Sequence, residues 1–415
     1  MLLNSGAFSE MTEQIRELAE RICDGRLVMV HEGGYSEGYV PLCGHATIAA
    51  LADSDTRVQD PQNAEIAAWG YQALQPHQRE LIDGWSRSWF AQSTNQQEWG
   101  LNMQSISDRD GWLWLDGEWL EWREAKTHLL THTLHYGMGC FEGIRAYDGP
   151  EGPHLFRADA HIRRLLDSAH ALDIPVDYSA EELIAAQREA LHRNALGDAY
   201  IKPTIFLGSE GMGLRAEGLS THVMIPAWYL AHYISPDSAE QGLRVLTSSW
   251  SRHHVNVSLC RTKTNGHYVN SMLALNMAVK AGFDETLMLD PEGYVAEGSA
   301  ENVFIVRNGV LHTPAVTSCL EGITRDTVMT LARERLGMEV RERQITRDEL
   351  YIADEAFFTG TAAEILPIRE LDGRIIGRGG ERPVTRELQR LYRRLVRCEL
   401  GHDLVAYRDW LQAVY

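Results

Sequence analysis

The chain holds only four lysines, Lys126, Lys202, Lys263 and Lys280. Any Schiff-base chemistry between the protein and a carbonyl compound must use one of them, because it needs an amine. Lys280 closes an apolar-periodic stretch just before Gly282, which reads as a helix C-terminus and a poor catalytic address. Lys126 falls in Trp122-Arg123-Glu124-Ala125-Lys126, a charged stretch of the kind found in solvated turns. Lys202 lies inside an expected strand, Tyr200 to Leu207. Lys263, in Arg261-Thr262-Lys263-Thr264-Asn265-Gly266-His267-Tyr268, stands between an expected strand (Leu243 to Ser249) and an expected helix (His267 to Ala281). Catalytic groups concentrate at such element ends. Taken alone this is a weak signal, since most lysines are solvated.

Composition sets the frame. A chain of 415 residues is long enough for two or three domains, and its 44% apolar content is that of a globular protein. No apolar run reaches the ~18 residues needed to span a bilayer, and no basic stretch followed by an apolar one marks a secretory signal. The six cysteines are scattered, without CxxC or Cys/His clusters, which points to a reducing, cytoplasmic setting and away from structural zinc. A net charge of −19 argues against nucleic acid or an anionic membrane as partner.

The elements around Lys263 can be read from turns and periodicity. Asp116-Gly117 and Asn308-Gly309 each sit between short alternating runs, a strong hairpin signal. Ser179 with Glu182 makes a capping box at the start of a helix. Asp159 reads as an N-cap, with Ile162, Leu165, Leu166 and Ala169 at helical spacing. Two longer strands are expected at Tyr200 to Leu207 and Val223 to Leu230. The helix from His267 is expected to turn Val269, Met272, Leu273 and Met277 inward. Further helices are expected at Thr324 to Leu336 and Arg386 to Leu400, and a strand at Glu355 to Thr359.

Five separated stretches then fall in one order: Phe141-Glu142-Gly143-Ile144-Arg145-Ala146-Tyr147, Lys263 to Tyr268, Glu297-Gly298-Ser299-Ala300-Glu301-Asn302, Leu320-Glu321-Gly322-Ile323-Thr324-Arg325, and Gly360-Thr361-Ala362-Ala363-Glu364. Together they resemble the class IV aminotransferases, most closely those acting on branched-chain amino acids, over residues 111–400. The resemblance implies an α+β protein of pyridoxal phosphate fold type IV, with a smaller α+β domain (103–231), an interdomain loop (232–241) and a larger barrel-like α+β domain (242–415). It implies pyridoxal 5'-phosphate as cofactor and a homodimer or higher homo-oligomer. Its substrates would be amino acids and 2-oxo acids, with no nucleic acid or membrane partner. Lys263 would be the catalytic amine, Tyr268 a donor beside it, and Glu297 the acid at the ring nitrogen. Arg164, Ile323, Thr324, Gly360 and Thr361 would hold the phosphate. Tyr200, Thr361 and Ala362 would take the α-carboxylate. Tyr136, Phe141, Gly143, Met212, Leu214 and Tyr233 would shape an apolar side-chain pocket. Lys202 stands where such enzymes often carry an arginine for the glutamate side-chain carboxylate, so it keeps the charge but loses the bidentate fork. Leu230 falls where an aromatic residue is common. D-amino acid aminotransferases and aminodeoxychorismate lyases share the fold and are the alternative readings.

Residues 1–102 differ. Leu27-Val28-Met29-Val30-His31-Glu32-Gly33-Gly34-Tyr35, then Tyr39 to Gly44 and an alanine-rich stretch, resemble the C-terminal end of zinc-dependent histone deacetylase and acetylpolyamine amidohydrolase proteins over residues 13–90. Tyr35 would match the tyrosine that polarises the substrate carbonyl there. The paired histidines and Asp/His/Asp zinc ligands of that family have no counterpart in the residues before this turn, and without a metal there is no activated water to assist. The segment is expected to be a fused relic, an upstream reading frame joined to the next gene, or an added interaction surface; a deacetylase-related polyamine-recognition protein is the alternative from another class. The polar stretch Ala91 to Glu98 reads as a linker, with Met103 as a possible original start.

Overall fold

The computed structural model describes residues 9, 12–17, 20, 40–52, 105–230, 240–377 and 381–415. The chain divides into two compact units, Met1–Met103 and Gln104–Tyr415. In the first, residues 12–17 and Val40–Leu51 are helical. Tyr35 and the expected strand Leu27 to Val30 lie outside the described residues, as do Met103, Tyr233 and most of the expected interdomain loop.

The second unit carries three sheets. One is antiparallel and built around the hairpin Trp112–Leu115 and Glu118–Glu121. Its turn residues Asp116 and Gly117 both have positive φ, 51° and 93°, the backbone a two-residue hairpin turn requires. The second sheet pairs Ile144–Gly149 with Gly152–Phe156 on one side and Ala199–Ile201 on the other. The third, of nine strands, runs in the order 295–297, 285–289, 243–247, 364–371, 355–360, 302–307, 310–313, 340–342, with 374–375 added beside 364–371. It curves into a half-barrel. Asn308 and Gly309 turn its central hairpin at φ 50° and 75°.

Two expectations are corrected. The strands read at Tyr200 to Leu207 and Val223 to Leu230 are each two strands. Pro203 splits the first into Ala199–Ile201 and Thr204–Leu207, and Pro226 splits the second into Thr221–Ile225 and Ala227–Tyr229. Proline has no N–H to give a ladder, so the chain leaves one sheet there and enters the other; 204–207 pairs with 221–225, and 199–201 with 227–229. The helix Tyr268–Lys280 packs through Ser271, Ala274 and Ala278, while Val269, Met272 and Leu273 are exposed. Small side chains at that spacing let the helix lie close on the sheet, which leaves the larger apolar ones outward on this chain.

The capping box forms as expected: Ser179 Oγ accepts from the Glu182 amide, and the Glu182 carboxylate accepts from the Ser179 amide. The last helix is Pro383–Val396, opened by proline in its first turn. The chain ends by sending Leu411–Ala413 back to pair with His154–Phe156. Tyr147 and Phe156 pack among Phe304, Phe357, Leu388 and Tyr392, so early and late segments of this unit share one core.

Candidate active site

Lys263 belongs by sequence to the later half of the unit, but its backbone is held by the earlier half. Its carbonyl accepts from the Phe141 amide at 3.0 Å, and its amide donates to Ser168 Oγ at 3.1 Å. Cys140 and Thr264 form an isolated antiparallel bridge. Gly137 and Gly266 meet so closely that a Cβ on Gly137 would lie 2.9 Å from the Gly266 Cα. Lys263 Nζ donates to Tyr268 Oη at 2.8 Å and lies over the Phe141 ring, 5.1 Å from its centroid. Burial disfavours the ammonium, but Tyr268 and Glu142 outweigh this and hold its pKa above the ordinary lysine value.

A cavity reaches from Lys263 to Glu297 and on to the start of the helix Ile323–Arg335. Glu297 is 4% exposed. Its Oε2 accepts from the Leu320 amide at 3.1 Å, and its Oε1 stands 2.6 Å from the Arg252 guanidinium. Asn302 Nδ2 donates to the Leu320 carbonyl at 2.8 Å and so fixes this loop. Gly322 precedes the helix; a Cβ there would collide with Asn302 Oδ1, so only glycine fits. No side chain caps the helix N-terminus, which leaves backbone donors and a positive dipole end facing the cavity. The Thr324 hydroxyl bonds to Tyr392. Thr359 Oγ1, on the same wall, is buried with no hydrogen-bond partner among the described residues.

This donor set fits pyridoxal phosphate. It offers one amine (Lys263) with a phenol beside it, one buried carboxylate at the far wall (Glu297), and a helix N-terminus with Thr359, Thr361 and Arg164 along the rim. The orphaned Thr359 hydroxyl is the mark of a site that expects a polar ligand. Arg164 is itself committed: its Nε and Nη2 donate to the two oxygens of Glu142 at 2.6 and 2.9 Å, and Nη1 donates to the Glu321 carbonyl at 2.7 Å.

Glu142 is fully buried. Burial alone would push its carboxyl up, but Arg164 and His161 bring it well below the usual carboxylate range; His161 Nδ1 lies 2.7 Å from Oε2. His267 is held neutral, its pKa lowered to about 4 by burial, with His253 and Arg252 adding to the shift.

On the other side of Lys263 opens a second cavity of about 470 Å³. Phe141, Gly143, Tyr200, Lys202, Thr361 and Ala362, all expected at the substrate, line it together with Trp228, Leu230 and Met272. Gly143 is required by Tyr200: a Cβ at 143 would lie 2.0 Å from the phenol oxygen. Lys202 Nζ stands over the Phe141 ring at 4.8 Å, and its pKa is lowered by burial and by the neighbouring Lys263. Three expected pocket residues are not brought in. Tyr136, Met212 and Leu214 line neither cavity and are 43%, 49% and 92% exposed. Tyr233 lies outside the described residues.

Sequence reasoning missed Arg252, Glu142 in its structural part, and a buried acid pair. Ser299 Oγ donates to Glu285 Oε2 at 3.0 Å and also bonds to Glu301, whose Oε2 accepts from the Ala300 amide. Glu285 is pushed up to about 8 by burial and by Glu301, and Glu301 is raised by burial, with Glu297 also contributing. Burial and the nearness of the two carboxyls favour their protonated forms. Glu142 and Glu301 sit inside matched motifs, which is the available signal; Arg252 has none.

Comparison with known proteins agrees with this geometry. Residues 139–371 match the model of the amino-transferase class IV family. The chain is 59% identical over 292 residues to the branched-chain-amino-acid aminotransferase of Pseudomonas aeruginosa, covering 70% of this chain and 95% of that protein. It is 44% identical over 283 residues to the Escherichia coli K12 protein of that name, covering 68% and 91%. Among solved structures, the T.th. branched-chain amino acid aminotransferase complexed with N-(5'-phosphopyridoxyl)-L-glutamate superposes with a TM-score of 0.70 at 42% identity, over 74% of this chain and 99% of that one. The Thermoproteus uzoniensis enzyme with norvaline gives 0.69 at 43% identity, over 74% and 100%.

Proposed function

Because the chain belongs to the class IV aminotransferase family, we propose that it transfers the amino group of leucine, isoleucine or valine to 2-oxoglutarate, yielding the branched-chain 2-oxo acid and L-glutamate, with pyridoxal 5'-phosphate as cofactor. The observation that carries this reading is the place of Lys263, which lines both the cofactor cavity and the substrate cavity. The bound cofactor supplies a carbonyl that exchanges amino groups and a ring that takes up the electrons released at the substrate Cα. The protein does the rest. Lys263 Nζ would take up and return the proton of the substrate Cα, with Tyr268 Oη holding the amine in place. Glu297, paired with Arg252, presents negative charge to the ring nitrogen. The open N-terminus of the helix Ile323–Arg335, Thr361 and Arg164 receive the phosphate. Trp228, Leu230, Phe141 and Met272 give an apolar surface for a branched side chain, and Lys202 gives the one cation a second carboxylate needs. Ping-pong alternation of leucine and glutamate through one pocket asks for this mixture.

The test is direct. The purified protein should absorb in the visible, lose that band on adding leucine, isoleucine, valine or glutamate, and leave it unchanged with D-alanine. Lys263→Ala should remove multiple turnover. Bleaching by D-alanine with silence toward leucine would sink the assignment.

The remaining parts of the reading concern assembly. The chain acts as a homodimer or larger homo-oligomer, supported by the apolar surface of Leu129, Leu134, Met212, Leu214, Val269 and Met272. If Tyr136, Met212 and Leu214 touch substrate, they do so in the pocket of a second copy. The enzyme works in the cytoplasm, in keeping with its scattered cysteines; cell fractionation checks this. Among the described residues no helix is long and apolar enough to cross a membrane. Residues 1–102 are a deacetylase-like fragment with no part in catalysis.

A further inference from the structure

Away from the active site, we infer that Glu151, His154 and Cys398 form a site for one divalent transition-metal ion of the zinc class. One potential ligand atom from each of the three side chains lies within 4.8 Å of the others. A thiolate, an imidazole and a carboxylate together suit zinc, while magnesium and calcium prefer all-oxygen shells. Three protein ligands leave one tetrahedral position for water.

The second observation is His154 itself. It is 5% exposed, and its Nδ1 is buried without a hydrogen-bond partner among the described residues. A nitrogen left without a partner on an imidazole that stands beside a thiol and a carboxylate leaves that ring open to a ligand. His154 is fixed in the middle of a sheet, opposite Tyr147 on one strand and Ala413 on the other. Its neighbour Glu151 lies in the turn of the hairpin formed by Ile144–Gly149 and Gly152–Phe156. Cys398 comes from the far end of the chain, two residues past the helix Pro383–Val396. Gly149 makes the approach possible: a Cβ there would stand 3.0 Å from the Arg397 carbonyl oxygen and 3.3 Å from the Cys398 Cβ. Cys398 also sits in left-handed backbone at φ 58°, an uncommon place for a non-glycine residue. Glu151 has an exposed ion pair with Arg408 at 3.2 Å through Oε2. Such a pair is weak enough to yield to a metal, and the other carboxylate oxygen remains. The ion would staple the end of the last helix to the early hairpin.

The test uses the full-length holoenzyme. After chelator treatment it is dialysed against zinc, desalted, and its metal content measured. Cobalt is then titrated in, and the thiolate-to-metal absorption is read as a difference against Cys398→Ser, so that cofactor bands cancel. Expected are one zinc retained per chain, loss of zinc and of the cobalt band in Cys398→Ser, and at least about tenfold weaker binding in Glu151→Gln, since losing a direct ligand should cost no less than losing a partner that merely orients one. Zinc should raise the melting temperature of the wild type and leave that of Cys398→Ser unmoved, while cofactor content stays equal in both. No retained zinc, or equal zinc in wild type and Cys398→Ser, overturns the site.

Discussion

Arg252 stands 2.6 Å from Glu297, and both side chains are nearly buried. The guanidinium is also tied down by Asn270 Oδ1 and Ser271 Oγ at 3.2 and 3.1 Å. The acid proposed to meet the cofactor ring is therefore aimed by a residue on the loop before Lys263. Glu297→Gln should leave the cofactor bound and cut turnover strongly, because an amide presents no negative charge to the ring nitrogen. Arg252→Met should cost less, roughly 10- to 100-fold by comparison with other residues that orient a site's charged groups, with the cofactor's visible band displaced. Normal turnover and an unmoved band in Arg252→Met would remove it from the site.

Lys202 gives a prediction with a sign. Its pKa is lowered by burial and by Lys263, so it loses its charge at a lower pH than an ordinary lysine. The KM for 2-oxoglutarate should climb as pH rises through that titration, while the leucine KM should not follow this step. Lys202→Ala should raise the dicarboxylate KM by roughly 10- to 100-fold, from a charge-assisted contact worth about 1.5–3 kcal/mol, and spare leucine. Equal losses for both substrates would mark a structural role.

The Glu142–Arg164–His161 cluster should govern acid stability. Glu142 has its pKa depressed in the fold, so its contribution is present above the unfolded carboxylate pKa of about 4.3 and is lost as pH falls through the folded value. His161 is also depressed, chiefly by burial, and so adds loss of stability below about pH 6.5, where the unfolded imidazole takes up a proton. Both act in the same direction. Glu142→Gln should lower stability by about 3–5 kcal/mol, because it leaves Arg164 buried without its partner. Denaturant titration across pH measures this; a flat profile from pH 7 to about 3 would refute it.

The exposed apolar residues predict association. Leu214→Asp, at a side chain 92% exposed on one chain, should shift the protein toward monomer in sedimentation and depress activity. A Leu214→Asp protein with unchanged mass and rate would place the interface elsewhere.

A chain starting at Met103 should fold, bind cofactor and transaminate like the whole. The described aminotransferase elements all lie in the unit Gln104–Tyr415. Tyr35→Phe should leave the rate unaltered. An insoluble or inactive shortened protein would show that the first segment is integral, and stoichiometric zinc with deacetylation of an acetylated polyamine would overturn the relic reading.

Local chemistry is legible in the sequence where a residue's own conformation decides the outcome. Asp116-Gly117, Asn308-Gly309 and the Ser179–Glu182 box form as read, because turn and cap preferences act over a few residues. Ordered motifs bring Lys263, Tyr268 and Glu297 to one cavity. Long-range facts are not legible. Whether a proline ends a strand or moves it to another sheet depends on what waits on the far side, as at Pro203 and Pro226. The helix from Tyr268 packs by its small residues, since inter-element distance is set by the sheet. Arg252 finds Glu297 across a long stretch of intervening chain, and no spacing rule anticipates that.

The anchoring of Lys263 by Phe141 and Ser168, beside the bridge of Cys140 to Thr264, has a bearing on biosynthesis. Ribosomal synthesis delivers the lysine long after the strand that grips it, and the hydrogen bonds to both its amide and carbonyl form only when the two segments dock. Cofactor capture is thus a late event that reports completed docking. Ligand bound only by the native form stabilises it by mass action. Starving cells of the vitamin precursor should consequently lower the abundance of this protein through proteolysis, beyond any loss of specific activity.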